Sequence, residues 1–291
     1  MYTTTYLDDL IVWAPAKVNL FLETLAKRPD GYHEIATLIV AIRRFDTLVF
    51  RPAPNDVSLS CSNRTLSCGP DNLVLKAARL LRERTGCTKG ASIRLTKRIP
   101  MAAGLAGGSS DAAATLIGLN QLWQLGRSDA ELAKLAGEIG SDVPFFFHLP
   151  AAWCTGRGEI VEPARLPNPL HFVLLCPSFG LSTADVYKQV VLPEKPASGD
   201  AIRAALEQGD VDSIGRLAHN RLQMAAEKID RRIAEFAALL KDAGSAGSLM
   251  SGSGSTLFAL CKSAEDAERV AAHLRARIKP HDARIIVTRT V

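Results

Sequence analysis

Apolar and polar positions along this chain change their spacing several times, and each change marks an element. From Leu10 to Leu25 large aliphatic residues (Ile11, Val12, Val18, Leu20, Leu22) crowd a stretch that reads as strand. Arg28-Pro29-Asp30-Gly31 is a turn signal, followed by Tyr32-His33-Glu34 and a strand through Thr37 to Ile42. Two more strands are predicted at Asp46 to Arg51 and Asp56 to Cys61, giving an antiparallel, β-rich start. From Asn72 to Arg84 the period becomes helical, with Leu73, Ala77, Leu80 and Leu81 on one face and a stop near Gly86. Ala91 to Thr96 alternates again and ends before Pro100. An alanine-rich helical pattern then runs through Leu116, Ile117, Leu119, Leu122 and Trp123. Ser128-Asp129-Ala130-Glu131 is a capping box that opens a helix to about Ile139. Gly140-Ser141-Asp142-Val143-Pro144 ends that helix and leads into Phe145-Phe146-Phe147, and Gly156 to Glu159 is a tight turn.

Glu162 to Pro169 carries three prolines and shifts the composition, so the predicted domains are 1–163 and 164–291. Beyond it, His171 to Cys176 reads as strand. Helices are predicted at Ser182 to Val190, Ala201 to Glu207, Val211 to Leu217 and Asp230 to Ala243, the last stopped by Gly244. Ser248 to Cys261 reads as a hairpin around Ser251-Gly252-Ser253-Gly254-Ser255, Ala264 to Ala276 as helix and Ala283 to Thr290 as strand. The mixture has no regular βαβα rhythm, which favours α+β over a doubly wound sheet. No internal repeat or low-complexity tract is present.

Composition narrows the classes. With 291 residues, 47% hydrophobic and 22% charged, the chain can bury one large or two modest cores, and disorder is excluded. A net charge of +5 suits an anionic substrate but is too small, and too dispersed, for nucleic acid. The stretch Met1 to Asp9 has neither the basic region nor the apolar core of a signal peptide. No apolar run approaches the roughly 20 residues that span a bilayer. Cys61, Cys68, Cys87, Cys154, Cys176 and Cys261 form no C-x-x-C pair, so buried thiols in a cytoplasmic protein are expected.

The most informative stretch is Ile99 to Ala114, I-P-M-A-A-G-L-A-G-G-S-S-D-A-A-A, at a strand-to-helix junction. Gly104, Gly107 and Gly108 let backbone N–H groups approach an anion, the following helix adds its positive end, and Ser109 and Ser110 add hydroxyls. That describes a phosphate cradle; the alternative is a small-residue loop that only lets a helix pack closely. The patterns G-x-x-x-x-G-K-[ST] and G-x-G-x-x-G are absent, as are H-R-D and D-F-G, so any phosphate is held by another scheme.

The loop resembles the P-x-x-x-G-L-x-[GS]-[GS]-S motif of the GHMP kinases, which wraps the ATP triphosphate in that family. The resemblance implies cofactor contacts from Pro100, Ala103, Gly104, Leu105, Ala106, Gly107, Gly108, Ser109 and Ser110. Some members have glycine where this chain has Ala102 and Ala106. It also implies a two-domain α+β architecture: an N-terminal ribosomal-protein-S5-like ATP domain and a C-terminal ferredoxin-like domain. Gly-Gly-Ser-Ser-Asp is most similar to the members that phosphorylate the 2-hydroxyl of a cytidine-diphosphate-linked methylerythritol in the non-mevalonate isoprenoid route.

Other segments carry the same resemblance in the same order. Lys17 and Asn19 share one face of a hydrophobic strand by alternation. Taken alone, they read first as a snorkelling surface lysine beside a turn asparagine. In Pro15-Ala16-Lys17-Val18-Asn19-Leu20 they match the first family motif, whose lysine polarises the attacking hydroxyl and steadies phosphoryl charge, the asparagine lying beside it at the reacting centre. Asp142 by itself is a turn or capping residue; in the family's G-x-D-V-P segment the aspartate is the proposed general base. Asp30-Gly31-Tyr32-His33 matches a segment that recognises cytosine, with His33 on the base and Tyr32 against the cytidine. Thr183 and Tyr187 match a pocket threonine and a base-stacking aromatic, though Tyr187 is also an ordinary half-buried helix residue. Asn72 and Lys97 align near the adenine, or are an N-cap and a surface cation. Ser251 to Ser255 matches a C-terminal glycine motif near the substrate phosphates. ATP and Mg²⁺ are implied, the metal held mainly through phosphates and water with Ser109 or Ser110 as an added oxygen. No protein-built metal site is expected, and a monomer or weak homodimer acting on a small molecule, without nucleic acid or membrane, is the expected state. A homoserine or mevalonate kinase would lack Tyr32-His33, and a non-catalytic nucleotide binder would lack Lys17 or Asp142.

Overall fold

The computed structural model describes residues 1–7 and 9–291. In chain order its elements are β1 (Tyr2–Tyr6), β2 (Asp9–Lys27), β3 (His33–Ala53), β4 (Val57–Cys61), α1 (Leu73–Thr85), β5 (Gly90–Thr96), α2 (Gly107–Trp123), α3 (Asp129–Ile139), a 3₁₀ turn (Pro144–Phe147), β6 (Ala151–Thr155) and β7 (Ile160–Pro163). Then come β8 (His171–Pro177), α4 (Thr183–Lys188), α5 (Asp200–Gln208), α6 (Val211–Leu217), β9 (His219–Asn220), α7 (Gln223–Ile229), α8 (Arg232–Asp242), β10 (Gly247–Met250), β11 (Leu257–Cys261), α9 (Ala264–Arg275) and β12 (Ala283–Arg289). Residues 1–16, 44–99 and 106–149 form one compact unit; 17–43, 100–105 and 150–291 form a second.

The two long strands change character along their length. β2 alternates between buried and half-buried from Asp9 to Trp13, then is buried without a break from Ala14 to Thr24. β3 is buried without a break from Ile35 to Ile42 and then becomes more exposed and irregular. Alternation marks one covered face and continuous burial marks two. Lys17 and Asn19 therefore lie where no face of the strand meets water.

In the first unit β1 pairs antiparallel with the start of β2, the end of β3 pairs antiparallel with β5, and β5 pairs parallel with β4. α1 starts because the Asn72 side chain accepts the Val74 N–H, and it stops at Gly86 in the left-handed region. Of the stripe read from sequence, Ala77 and Leu81 are buried while Leu73 and Leu80 are half-buried, and Val74 and Ala78 complete the buried face. α2 is buried on most sides, which matches its alanine-rich composition. Gly118 sits in its middle because a Cβ there would lie 2.5 Å from the Phe50 ring. α3 carries the predicted capping box, and its hydrogen bonds from Ser128, with Arg127 beside them, hold the Glu131 carboxyl down at about 2.

In the second unit β8, β10, β11 and β12 form an antiparallel sheet in the order β10-β11-β8-β12. Strand, helices, two strands, helix, strand, with the last strand beside the first, is the ferredoxin-like arrangement. Val173 and Leu175 of β8 pack with Val270, Ala271 and Leu274 of α9 and Ile233 and Leu240 of α8 in one core. β6 and β7 form a hairpin that pairs with Thr37–Val40 of β3, and β9 pairs parallel with Phe21 and Leu22 of β2.

Several sequence expectations are corrected. The strands expected at 37–42 and 46–51 are one strand, because Arg43 and Arg44 keep β geometry; Arg44 donates twice to the Arg98 carbonyl. α7 was not foreseen, since its buried residues are two alanines, too slight a stripe to set a period. β1, β6 and β7 were also missed. Of the six cysteines, Cys154, Cys176 and Cys261 are buried as expected, whereas Cys61 and Cys87 are half-buried and Cys68 is exposed.

Candidate active site

In the second unit, Lys17 and Asn19 are 3% and 2% exposed, which removes the snorkelling alternative. Lys17 Nζ donates to Asn19 Oδ1 at 2.6 Å, Asn19 Nδ2 donates to Thr37 Oγ1 at 2.8 Å, and Thr37 Oγ1 donates to the Phe21 carbonyl at 2.6 Å. This relay fixes the amide with its oxygen toward the ammonium, as the shared strand face predicted.

The carbonyls of residues 102 to 105 are all engaged. Leu181 N–H donates to Ala102 O, Thr256 N–H to Ala103 O, Ser251 Oγ to Gly104 O and Lys17 N–H to Leu105 O. The loop is thus anchored through its acceptors to β2 and to residues 251–256. Gly104 has φ +72°, and a Cβ there would sit 2.0 Å from the Ser251 carbonyl oxygen, so both conformation and contact demand glycine. Gly252 lies equally close to the lysine: a Cβ on it would be 3.1 Å from Lys17 Nζ and 3.3 Å from Asn19 Oδ1. Thr183 Oγ1 and Ser253 Oγ are 2.8 Å apart.

The turn Arg28 to Tyr32 delivers His33 to the start of β3. Its ring stacks on Tyr187 of α4, with centroids 5.1 Å apart and planes at 29°. Partial burial, with Lys27 nearby, lowers the His33 imidazole below its ordinary pKa, which favours its neutral form. A neutral imidazole offers one donor and one acceptor. Tyr32 is exposed, and the Arg157 guanidinium lies over its ring at 4.8 Å.

In the first unit, α2 begins directly at Gly107, with Ala106 before it in the left-handed region at φ +51°. The N–H groups of Gly107, Gly108 and Ser109 lie in the first turn, where a helix offers them no partner. The Ser110 hydroxyl is buried with no hydrogen-bond partner among the described residues, while Ser109 is half-exposed. These are the features of an anion-binding helix start. Asn72, the α1 N-cap, donates through Nδ2 to the Ser67 carbonyl and stands one residue before Leu73, whose Cδ1 lies 3.5 Å from the position of a Cβ on Gly108.

Lys97 is not a surface cation. Its ammonium pairs with Asp46 and, at 2.8 Å, with Asp111, all three side chains being 6% exposed or less. Burial alone would lower Lys97, but the two carboxylates outweigh it and raise it. Asp111 is pushed up to about 7, first by burial and also by Asp46, against the pull of Lys97. Asp46 accepts the N–H groups of Arg98 and Ile99 as well, so it ties the strand end to the loop. Asp142 is half-buried in the turn before the 3₁₀ segment.

Sequence reasoning missed Thr37, Asp46, Asp111, Arg157 and Asn220. Asp46 was findable: it shares the inward phase of Leu48 and Phe50, as Lys97 continues that of Ile93 and Leu95. Asp111 stood inside the quoted motif without a role. Asn220 lies between two short helices in a segment with no period to read.

Comparison with known proteins decides the family. The model described as GHMP kinases N terminal domain matches residues 72–148, and GHMP kinases C terminal matches 202–279. A 4-diphosphocytidyl-2-C-methyl-D-erythritol kinase of Pelotomaculum thermopropionicum is 45% identical over 280 residues, covering 95% of this chain and 96% of that protein. The chain belongs to the GHMP kinases. It is a small-molecule kinase of that family, with the family's two-domain α+β fold. A crystal structure of 4-(cytidine 5'-diphospho)-2C-methyl-D-erythritol kinase superposes with a TM-score of 0.81 at 36% identity, covering 96% of this chain and 98% of that one. A homoserine kinase from Cytophaga hutchinsonii superposes at 0.80 with 21% identity, covering 100% and 97%, so GHMP kinases with different acceptors share this fold.

Proposed function

We infer that this kinase uses ATP to phosphorylate the 2-hydroxyl of 4-diphosphocytidyl-2-C-methyl-D-erythritol, a step toward isoprenoid precursors by the non-mevalonate route. The observation that carries the acceptor is His33 stacked on Tyr187 next to Asp30-Gly31-Tyr32. Cytosine presents a donor and acceptors on one edge and two aromatic faces. His33 supplies a complementary hydrogen bond, Tyr187 and Tyr32 supply aromatic surface, and Thr183 adds a hydroxyl.

The remaining residues suit phosphoryl transfer. The orphan N–H groups at the α2 start and the loop from Pro100 through Ala103, Gly104, Leu105, Ala106, Gly107 and Gly108 hold the triphosphate. Asn72 and Lys97 flank the adenine; with its ammonium taken by Asp46 and Asp111, Lys97 contributes backbone and stem. Lys17, oriented by Asn19, steadies charge on the transferred phosphoryl group. Asp142 accepts the proton of the acceptor hydroxyl as its oxygen bonds to the γ-phosphorus and the bond to the β-phosphate oxygen breaks, releasing ADP. Ser109 and Ser110 would offer hydroxyl oxygens of the type Mg²⁺ accepts, and the bound cation would supply neutralisation of phosphate charge. The matched family stretches fall on either side of the boundary between 163 and 164, which supports an ATP domain 1–163 and a C-terminal domain 164–291. Among the described residues no helix is long and apolar enough to cross a membrane. A cytoplasmic monomer or weak homodimer, with a small-molecule acceptor and neither nucleic acid nor membrane as partner, completes the reading.

Binding of CDP, used as a probe, tests the acceptor site without turnover. Titration calorimetry should show CDP binding the wild type better than UDP, with His33→Ala losing the preference. One or two lost base hydrogen bonds correspond to about 1–3 kcal/mol. Equal affinity for CDP and UDP would remove the cytidine assignment.

A further inference from the structure

We propose that Asn220 is the positioning residue that seats the 251–255 glycine loop against Lys17, and that Glu23 and Arg221 fix its register. The proposal rests on the reading of Lys17 as the phosphoryl-stabilising lysine.

The argument starts from β9, only two residues long. A ladder of two residues is weak, yet β9 is held in register with Phe21 and Leu22 of β2, and Arg221 N–H continues the ladder to the Leu22 carbonyl. The reinforcement comes from Glu23, fully buried. Arg221 meets it with two hydrogen bonds, 2.7 and 2.8 Å, and His219 Nε2 lies 3.2 Å from it. Burial would raise the Glu23 carboxyl, but Arg221 and the N–H groups of Ala197 and Thr24 outweigh it, so the carboxylate stays ionised. Residues 219 and 221 share one face of β9 and its one-residue continuation by alternation, which sends residue 220 the other way.

On that opposite face Asn220 uses its whole amide donor capacity on one target. Nδ2 donates to the carbonyls of Met250 at 2.7 Å and Gly252 at 2.8 Å, while Oδ1 accepts the Leu222 N–H at 2.9 Å. Met250 and Gly252 bracket the entry to the glycine loop, and Gly252 is the residue whose α-carbon faces Lys17 Nζ and Asn19 Oδ1. One donor therefore acts on the residue that meets the lysine, and the other acts two residues before it. The lysine side of this contact is carried by β2, the same strand that Glu23 clamps to β9. Strand, clamp, amide and loop close a ring of interactions in which Asn220 sets the distance.

Asn220→Asp keeps the shape but removes both donors and faces a carboxylate with two carbonyl oxygens. Asn220→Ser keeps one donor and serves if the aspartate variant does not fold. Amide hydrogen exchange of the full chain without substrate reads the loop directly, at Gly254 N–H and Thr256 N–H, which bond to Ser251 and Ala103 carbonyls. Steady-state kinetics with ATP and diphosphocytidyl methylerythritol reads the consequence. Expected are faster exchange confined to the loop and a kcat lowered about 10–100-fold, the scale of a small misplacement at a reacting centre. KM for the acceptor should change less than kcat, because the His33–Tyr187 pair is carried by β3 and α4, and the Thr183–Ser253 hydroxyl contact is where that pocket meets the loop. Wild-type exchange in both folded variants, or a loss shared equally by kcat and KM, overturns the proposal. A wild-type protein inert toward the acceptor would instead overturn the acceptor reading, because the exchange result does not depend on turnover.

Discussion

Lys97 shows how one buried cation organises its surroundings. It pairs with both Asp46 and Asp111, and among the described residues the second Asp111 oxygen has no hydrogen-bond partner. Lys97→Met would strand two carboxylates in the interior and should cost about 3–5 kcal/mol, measured by urea unfolding; a loss below about 1 kcal/mol, the scale of a surface pair, would show the triad is dispensable. The folded Asp111 carboxyl titrates at about 7 against 3.8 for the free side chain. Between those values the folded protein holds a proton that the unfolded chain releases, so this group's contribution to stability falls as pH rises through that window. Asp111→Asn should flatten that part of the stability–pH profile, and an unchanged slope would place the titration elsewhere. At the chemical step, Asp142→Asn keeps shape and removes the base, which typically costs about 10²–10⁴ in rate. If phosphoryl transfer here needs only positioning, single-turnover rates of the folded variant would fall less than about tenfold, below the general-base range. Lys17→Ala should also lower kcat, and the double variant should lose less than the sum if the two act as a unit.

At the scale of elements, the start of α2 separates packing from binding. A Cβ on Gly107 would lie 3.0 Å from Ile99 and 3.1 Å from Lys97 Nζ, so Gly107→Val disturbs the buried triad as well as any phosphate. Gly108 has room: its Cβ would meet Leu73 at an ordinary 3.5 Å. Gly108→Ala should therefore leave the melting temperature unchanged and raise KM for ATP; unchanged KM would return the loop to a packing role. Ala106 holds φ +51° at some cost, about 1–2 kcal/mol for an L-residue. Ala106→Gly relieves it and adds about 0.4–1 kcal/mol of unfolded-state entropy. The net gain should be up to about 1 kcal/mol, checked by urea unfolding; a loss would mean that neighbouring contacts, not the side chain, set that angle. The sequence made this junction legible because loop and helix are contiguous, and a strand ending at Pro100 before small residues has few other uses. It made the Lys17–Asn19 pair legible through strand alternation. Asn220 stayed hidden because its meaning lies in two carbonyls about thirty residues away, a relation no local period records.

For the whole molecule, local pattern gave the helices other than α7 and most strands, while the joining of two expected strands into β3 and the sheet orders came only from long-range pairing. The domain fold followed from the family resemblance and is matched by the ferredoxin-like sheet of the second unit. Fold alone does not choose the acceptor, because a 21% identical homoserine kinase superposes nearly as well as a 36% identical cytidyl-methylerythritol kinase. The choice rests on His33, Tyr187 and the overall identity to relatives. The most direct test is kcat/KM from ADP release with ATP and four acceptors in parallel: diphosphocytidyl methylerythritol, methylerythritol without the cytidyl group, homoserine and mevalonate. The account predicts efficient turnover of the first alone. Equal turnover of homoserine or mevalonate, or of methylerythritol lacking cytidine, would contradict it.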